Sequence, residues 1–170
     1  MAQHFNARQL GEYIRDRIWT ALSPSVASGG LNLQVCSFGD MDPFPADVNI
    51  SSKLPAVYIS PESLSNDFQT LNERYSAYYT FRILYLDVIP ESVTSEHHRI
   101  RVERVADVIM GDLRLSDVAG LTLNNSQVVW SIVRGIEYRP SEDNLVNSVN
   151  ANVYVTAVNW QVRLITWEPL

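Results

Sequence analysis

Long alternating strand patterns organise this chain. Tyr75–Ile89 reads YSAYYTFRILYLDVI and Ala151–Trp167 reads ANVYVTAVNWQVRLITW. Both are rich in Val, Ile, Tyr, Thr, Phe and Trp, the residues that fit a pleated surface. In the first, Ala77, Tyr79, Phe81, Ile83 and Tyr85 share one face. The other face starts polar with Ser76, Thr80 and Arg82, then turns apolar with Leu84, Leu86 and Val88. This pattern predicts a strand half exposed at one end and covered on both faces at the other. In the second strand Val153, Val155 and Ala157 lead, then Val158, Trp160, Val162 and Leu164 take over. Such a slip implies a bulge near Ala157 or a change of burial partner. At ~3.3 Å per residue each strand spans roughly 50 Å. A domain of this size has a radius of gyration of roughly 15 Å and is about 40 Å across. The strands therefore either bend at bulges or carry sheet past the subunit core into a neighbour.

Two segments carry helical periodicity instead. Ala7–Leu22 places Leu10, Tyr13, Ile14, Ile18, Ala21 and Leu22 on one stripe. Asn6 is its candidate N-cap, with Gln9 three residues on, and Ser23-Pro24 stops it. The second helix runs from Ser95 to Leu113 or Leu115, its buried stripe Ile100, Val102, Val105, Ala106, Ile109 and Leu113. Arg99, Arg101, Glu103, Arg104 and Asp107 are assigned to its wet side. Shorter strands are expected at Leu31–Phe38, Leu54–Ser60 and Gln127–Tyr138, with Gly135 marking a bulge or close approach. Leu121–Leu123 is a further candidate strand. The segments 39–53, 61–74 and 139–150 read as loops, the middle one alternatively as the splayed base of the following strand.

The order α, β, β, β, α, β, β predicts an α+β fold: a mostly antiparallel sheet with two helices packed on one face, long strands and extended loops. The 170 residues suit a single domain over 1–170 with enough core to need no staple. The lone Cys36 cannot form an intrachain disulfide and reads as a small buried hydrophobe, in keeping with a reducing compartment. No run reaches the ~20 apolar residues of a membrane span, and MAQHFNARQL lacks the apolar segment of a signal peptide. A net charge of −6 with no basic cluster argues against specific nucleic-acid binding.

Catalytic constellations are not evident. His97 and His98 diverge by about 100° on a helix, so they do not face one ligand, and they read as solvated residues of a helix start. His4 falls in the terminus. Asp40, Asp42 and Asp47 lack calcium-loop spacing and read as an acidic turn, and Glu142-Asp143 reads as a loop tip. No phosphate-cradling or nucleophile motif occurs, and no cofactor or metal is expected. The expectation is a structural, non-enzymatic role. Met41, Phe44, Val48, Leu145 and Val146 are apolar residues within loop segments and are the candidate interface residues.

The layout resembles the tail terminator, or tail completion, proteins of tailed bacteriophages, a family of minor tail proteins. The resemblance rests on the helix NARQLGEYIRDRIWTAL, the strand LPAVYIS, the long strand YSAYYTFRILYLDV, the helix EHHRIRVERVADVIMGDLR and the closing strand NANVYVTAVNWQVRLITWE. It implies a homohexameric ring on the head-proximal end of the tail tube. The ring would stop tube polymerisation and present a surface to the neck or connector. The implied partners are other copies of the chain, the tail tube protein and a neck protein. DNA would pass through the lumen without specific binding, an arrangement that suits the acidic charge. The implied location is the virion, after assembly in the host cytoplasm, with no membrane association. The same layout also admits another neck component, a head–tail stopper or connector adaptor. A small ligand-binding or enzymatic α+β domain is the alternative of a different class.

Overall fold

A computed structural model describes residues 7–39, 53–67, 74–88, 95–112, 126–138 and 153–167. Within them lie two helices, α1 (Ala7–Leu22) and α2 (Ser95–Asp112), and a short 3-10 turn at Val26–Ser28. Five strands follow one sheet: β1 (Val35–Phe38), β2 (Ala56–Asp67), β3 (Arg74–Val88), β4 (Ser126–Tyr138) and β5 (Val153–Trp167). Their spatial order is β1-β2-β3-β5-β4. Only the β1–β2 pair is parallel; the rest are antiparallel. The fold is α+β, as the alternation of patterns predicts. Asn6, Leu113, residues 121–123, and the segments 40–52 and 139–152 fall outside the described residues.

Both helices lie on one face. Leu10, Ile14, Ile18 and Leu22 of α1 join Val102, Val105, Ala106 and Ile109 of α2 in a single core with Ile59, Tyr79, Phe81, Ile83, Trp160 and Val162. Its centre is the Phe81–Trp160 ring pair, with centroids 4.8 Å apart. Burying four fully enclosed aromatic side chains, Trp160, Tyr79, Tyr85 and Phe81, places most of the apolar driving force on the two long strands. Two stripe assignments differ from expectation. Ala21 is exposed, and so is Ile100 at 49%. At about 100° per residue, Ile100 stands opposite the arc formed by His98, Val102, Val105 and Ile109.

The register switch in β5 is a change of burial partner, not a bulge. β3 and β5 pair without interruption from Arg74↔Trp167 to Val88↔Val153. Val155 and Ala157 point away from the helices into a second cluster with Leu54, Ala56, Tyr58, Leu84 and Leu86. Val158, Trp160, Val162 and Leu164 point into the helical core. One end of the sheet is thus buried on both faces, as the alternation in β3 predicts. The bulges lie in the flanking strands: between Pro61 and Ser63 in β2, and between Val128/Trp130 and Val133/Gly135 in β4. The last of these agrees with the reading of Gly135.

Strand β2 is longer than Leu54–Ser60. It continues through PESLSND to Asp67, where the residues predict a hairpin loop or the splayed base of the following strand. Past the Pro61/Ser63 bulge, Ser63, Ser65 and Asp67 oppose Thr80, Tyr78 and Ser76. The ladder holds this mostly polar half in the sheet, with Leu64 packed against the helical core. Strand β1 is shorter than Leu31–Phe38, because Leu31 and Leu33 are buried outside the sheet and hydrogen-bond back to the Leu22 carbonyl at 2.8 and 3.3 Å.

Gly11 has a specific packing role. A Cβ built there would lie 2.0 Å from the Phe38 ring, so glycine lets β1 pack against the middle of α1. Helix propensity alone favours Gly11→Ala by about 1 kcal/mol. The ring contact reverses the sign, and overpacking of this kind costs about 1–3 kcal/mol. Gly11→Ala is therefore expected to lower the urea midpoint, and adding Phe38→Leu to restore much of it. A stabilising Gly11→Ala would show that the ring moves freely.

Candidate interaction surface

The face of the sheet without helices changes character along its length. At the end described above it is apolar and buried. At the other end β3 presents Ser76, Tyr78, Thr80 and Arg82, and β5 presents Asn159, Gln161 and Arg163 opposite them. The two β4 bulges decide what the edge strand adds. Each inserted residue moves the following side chains to the other face. Val128 faces the helices, yet Trp130 and Ile132 stand against Arg163 and Gln161 on the open face. Arg134 continues the Trp130–Ile132 alternation onto the same face, the second bulge then brings Glu137 there opposite Ala157, and the side chain of Ser131 points back to accept from Trp160 Nε1 at 3.0 Å.

These side chains form a connected layer. Arg134 Nε donates to Gln161 Oε1 at 2.7 Å, and Gln161 Nε2 reaches Thr80 Oγ1 at 3.5 Å. Arg163 donates to Ser76 Oγ at 3.0 Å. Asn159 Nδ2 donates to Glu137 Oε1 at 2.7 Å, and Arg82 lies 3.7 Å from the other oxygen of that carboxylate. The Arg134 and Arg163 guanidiniums lie over the Trp130 and Tyr78 rings, each 5.5 Å from the centroid, and the two rings are 6.1 Å apart. Among the side chains described, three arginines thus share this face with one glutamate, Glu137. A locally basic layer in a chain of net charge −6 was not legible as a cluster, because its members come from three strands.

A second arrangement ties α2 to the buried end of the sheet. Asp87 is 4% exposed and accepts from Tyr85 Oη at 2.9 Å and from Arg101 on α2. His98 is not solvated as expected: it is 4% exposed and its Nε2 meets Thr156 Oγ1 at 2.6 Å, while its ring lies against Tyr85. His97 is exposed, so the two rings do diverge. The signal that locates His98 is its place four residues before Val102 on the buried arc. Burial lowers the His98 pKa to about 4, opposed by the Asp87 carboxylate and assisted by Arg101. Burial, then the Asp87 charge, raises the Tyr85 phenol. Arg101, assigned to the wet side, is instead a clamp residue. The carboxylate is engaged by two donors and the imidazole is neutral and packed, which makes the cluster a structural joint.

Elsewhere, Cys36 is half-buried on β1. Burial pushes its thiol up to about 12, leaving it protonated at neutral pH. It lines a cleft of about 410 Å³ with Arg15, Trp19 and Gln34, and a second cleft of about 320 Å³ is lined by Pro61, Leu64 and Phe81. Among the described residues no three His, Cys, Asp or Glu side chains are placed to share a metal ion. Among them also, no helix is long and apolar enough to cross a membrane. Met41, Phe44, Val48, Leu145 and Val146 lie outside the described residues, as do His4, Asp40, Asp42, Asp47, Glu142 and Asp143.

The histidine joint gives a pH dependence. The His98 pKa is lower in the folded chain (about 4) than its ordinary 6.5. Between those values the unfolded chain binds more protons, so stability falls as pH falls. The slope for one proton is at most ~1.4 kcal/mol per pH unit. Chemical denaturation between pH 7 and pH 5 should show this loss in the parent protein and a smaller one in His98→Gln. Parallel profiles would exclude His98 as the source.

No family model and no curated protein matches this chain. Among solved structures, one match is a chain of the "Virion of native gene transfer agent (GTA) particle". The two are 16% identical and superpose with a TM-score of 0.50, over 94% of this chain and 95% of that one. The likeness is one of fold, and it extends over nearly the whole of both chains.

Proposed function

We propose that this protein is a structural component of a phage-type virion. Within that class we assign it as a tail terminator, a ring subunit that caps the head-proximal end of a tail tube and joins it to the neck. The observation that carries the reading is the full-length fold likeness to a chain of a gene transfer agent virion, at low identity. The sequence resemblance to tail terminators points the same way. The long sheet supports it as well. β3 and β5 are each 15 residues long, whereas α1 and α2 have 16 and 18 residues. At ~1.5 Å per helical residue against ~3.3 Å in a strand, neither helix can run the length of the sheet.

The proposed role is non-enzymatic, with no cofactor. Among the described residues, the one cluster of buried titratable groups is committed to joining α2 to the sheet. The proposed partners are further copies of the chain, the tube protein and a neck protein, with DNA passing through the ring.

Negative-stain imaging of the purified protein, alone and with cognate tube protein, tests this directly. Rings, and tubes capped at a fixed length, are the expected result. Rings that bind a neck protein but leave tube length unregulated would favour a stopper or adaptor. A chain that stays monomeric with every tube and neck partner would overturn the assembly reading.

A further inference from the structure

We infer that the open face around Tyr78, Trp130, Ile132, Arg134 and Arg163 is a docking site for a short acidic segment of another protein. Carboxylates of that segment meet the guanidiniums, and an apolar side chain between them covers Ile132. The inference stands apart from the tail-terminator assignment and does not need a ring.

Charge is the first argument. Register places Arg74, Arg82, Arg134 and Arg163 on this face. It also places Asp67 there, opposite Ser76, and Glu137, opposite Ala157. Four cations against two carboxylates leave the face positive. Glu137 is engaged by Asn159 and lies 3.7 Å from Arg82. Arg134 is exposed and donates to the neutral amide of Gln161, and Arg163 donates to the Ser76 hydroxyl. A bond to a neutral group orients a guanidinium without cancelling its charge, and the planar fork then suits a carboxylate.

The setting of those arginines is the second. Stacking on Trp130 and Tyr78 holds the two guanidiniums in place before docking, which lowers the ordering cost of association. Ile132 is 37% exposed beside them. Arg, Trp and Tyr around an apolar centre is the composition of a protein-binding hot spot.

The same stacking argues against a nucleic acid as occupant. A stacked base needs a free ring face. Here a guanidinium lies over each ring, and the two rings also meet each other with centroids 6.1 Å apart. The chain's net charge of −6 repels an extended polyanion. A short segment answers mainly to the local field, because charges beyond about 8 Å are largely screened at physiological salt.

The test is fluorescence anisotropy of labelled probes with the full chain, at low and high salt. The probes are a peptide alternating glutamate with leucine and phenylalanine, its glutamine counterpart, and an oligothymidylate. The variants are Arg134→Glu and Arg163→Gln on the face, and Arg8→Glu on α1. Arg8 is 83% exposed, so its reversal changes the net charge equally on the other side of the molecule. Circular dichroism and thermal melting check that each variant folds. The inference expects the parent to bind the glutamate peptide, more weakly as salt rises, and the glutamine peptide at least about tenfold less tightly. Arg134→Glu should lose at least about tenfold, Arg163→Gln less, and Arg8→Glu little. A parent that does not bind the glutamate peptide at low salt would overturn the inference. So would equal losses in Arg134→Glu and Arg8→Glu, or binding that both face variants retain. Oligothymidylate bound more tightly than the peptide, and lost in Arg134→Glu, would overturn it in favour of a nucleic acid. Ring formation is read separately by imaging, so each of these outcomes leaves that question untouched.

Discussion

Everything else in this protein depends on the uninterrupted ladder between β3 and β5. Fifteen consecutive positions pair without a slip, and the two strands together supply Tyr79, Tyr85, Phe81 and Trp160, the large enclosed side chains. An even register fixes which side of the sheet is apolar at each step. That in turn fixes where the helices settle. Irregularity is confined to β2 and β4, where a change of parity alters the surface without disturbing the centre.

The sheet therefore has three environments from one alternation. The helical side is apolar except at the end where Asp87 and Thr156 meet α2. The opposite side is apolar at the Leu84–Leu86 end and polar at the Ser76–Arg82 end. The clamp between Asp87, Arg101, Tyr85, His98 and Thr156 sits where the doubly buried end meets α2. Desolvating an aspartate and a histidine is costly, and the joint tolerates it because both are met by specific partners from another element. Such a joint fixes the angle of α2 more narrowly than apolar packing would.

Much of this was legible in the residues. The limits of α1 follow from its i, i+4 stripe and the Ser23-Pro24 stop, and the double burial at one end of β3 follows from Leu84 and Leu86. What escaped reading has physical causes. Pro61–Asp67 carries no apolar alternation, because that stretch is held by its ladder with one open face. In β4 two insertions change parity, so no single alternation describes the strand. His98 was judged by its polarity when its position on the helix decides its burial. Its partner Thr156 is 58 positions away, a pairing no local pattern encodes. The basic layer is dispersed likewise over β3, β5 and β4.

The bulges of β4 have a consequence for how one free chain meets another. Among the described residues β4 is the outer strand of its side of the sheet. An outer strand of 13 regular residues would be a template for sticky, amyloid-like growth. Two insertions divide it into short stretches whose donors and acceptors fall out of step with a regular incoming strand. The distortion that brings Trp130 and Arg134 to the surface also keeps separate chains from zipping together edge to edge.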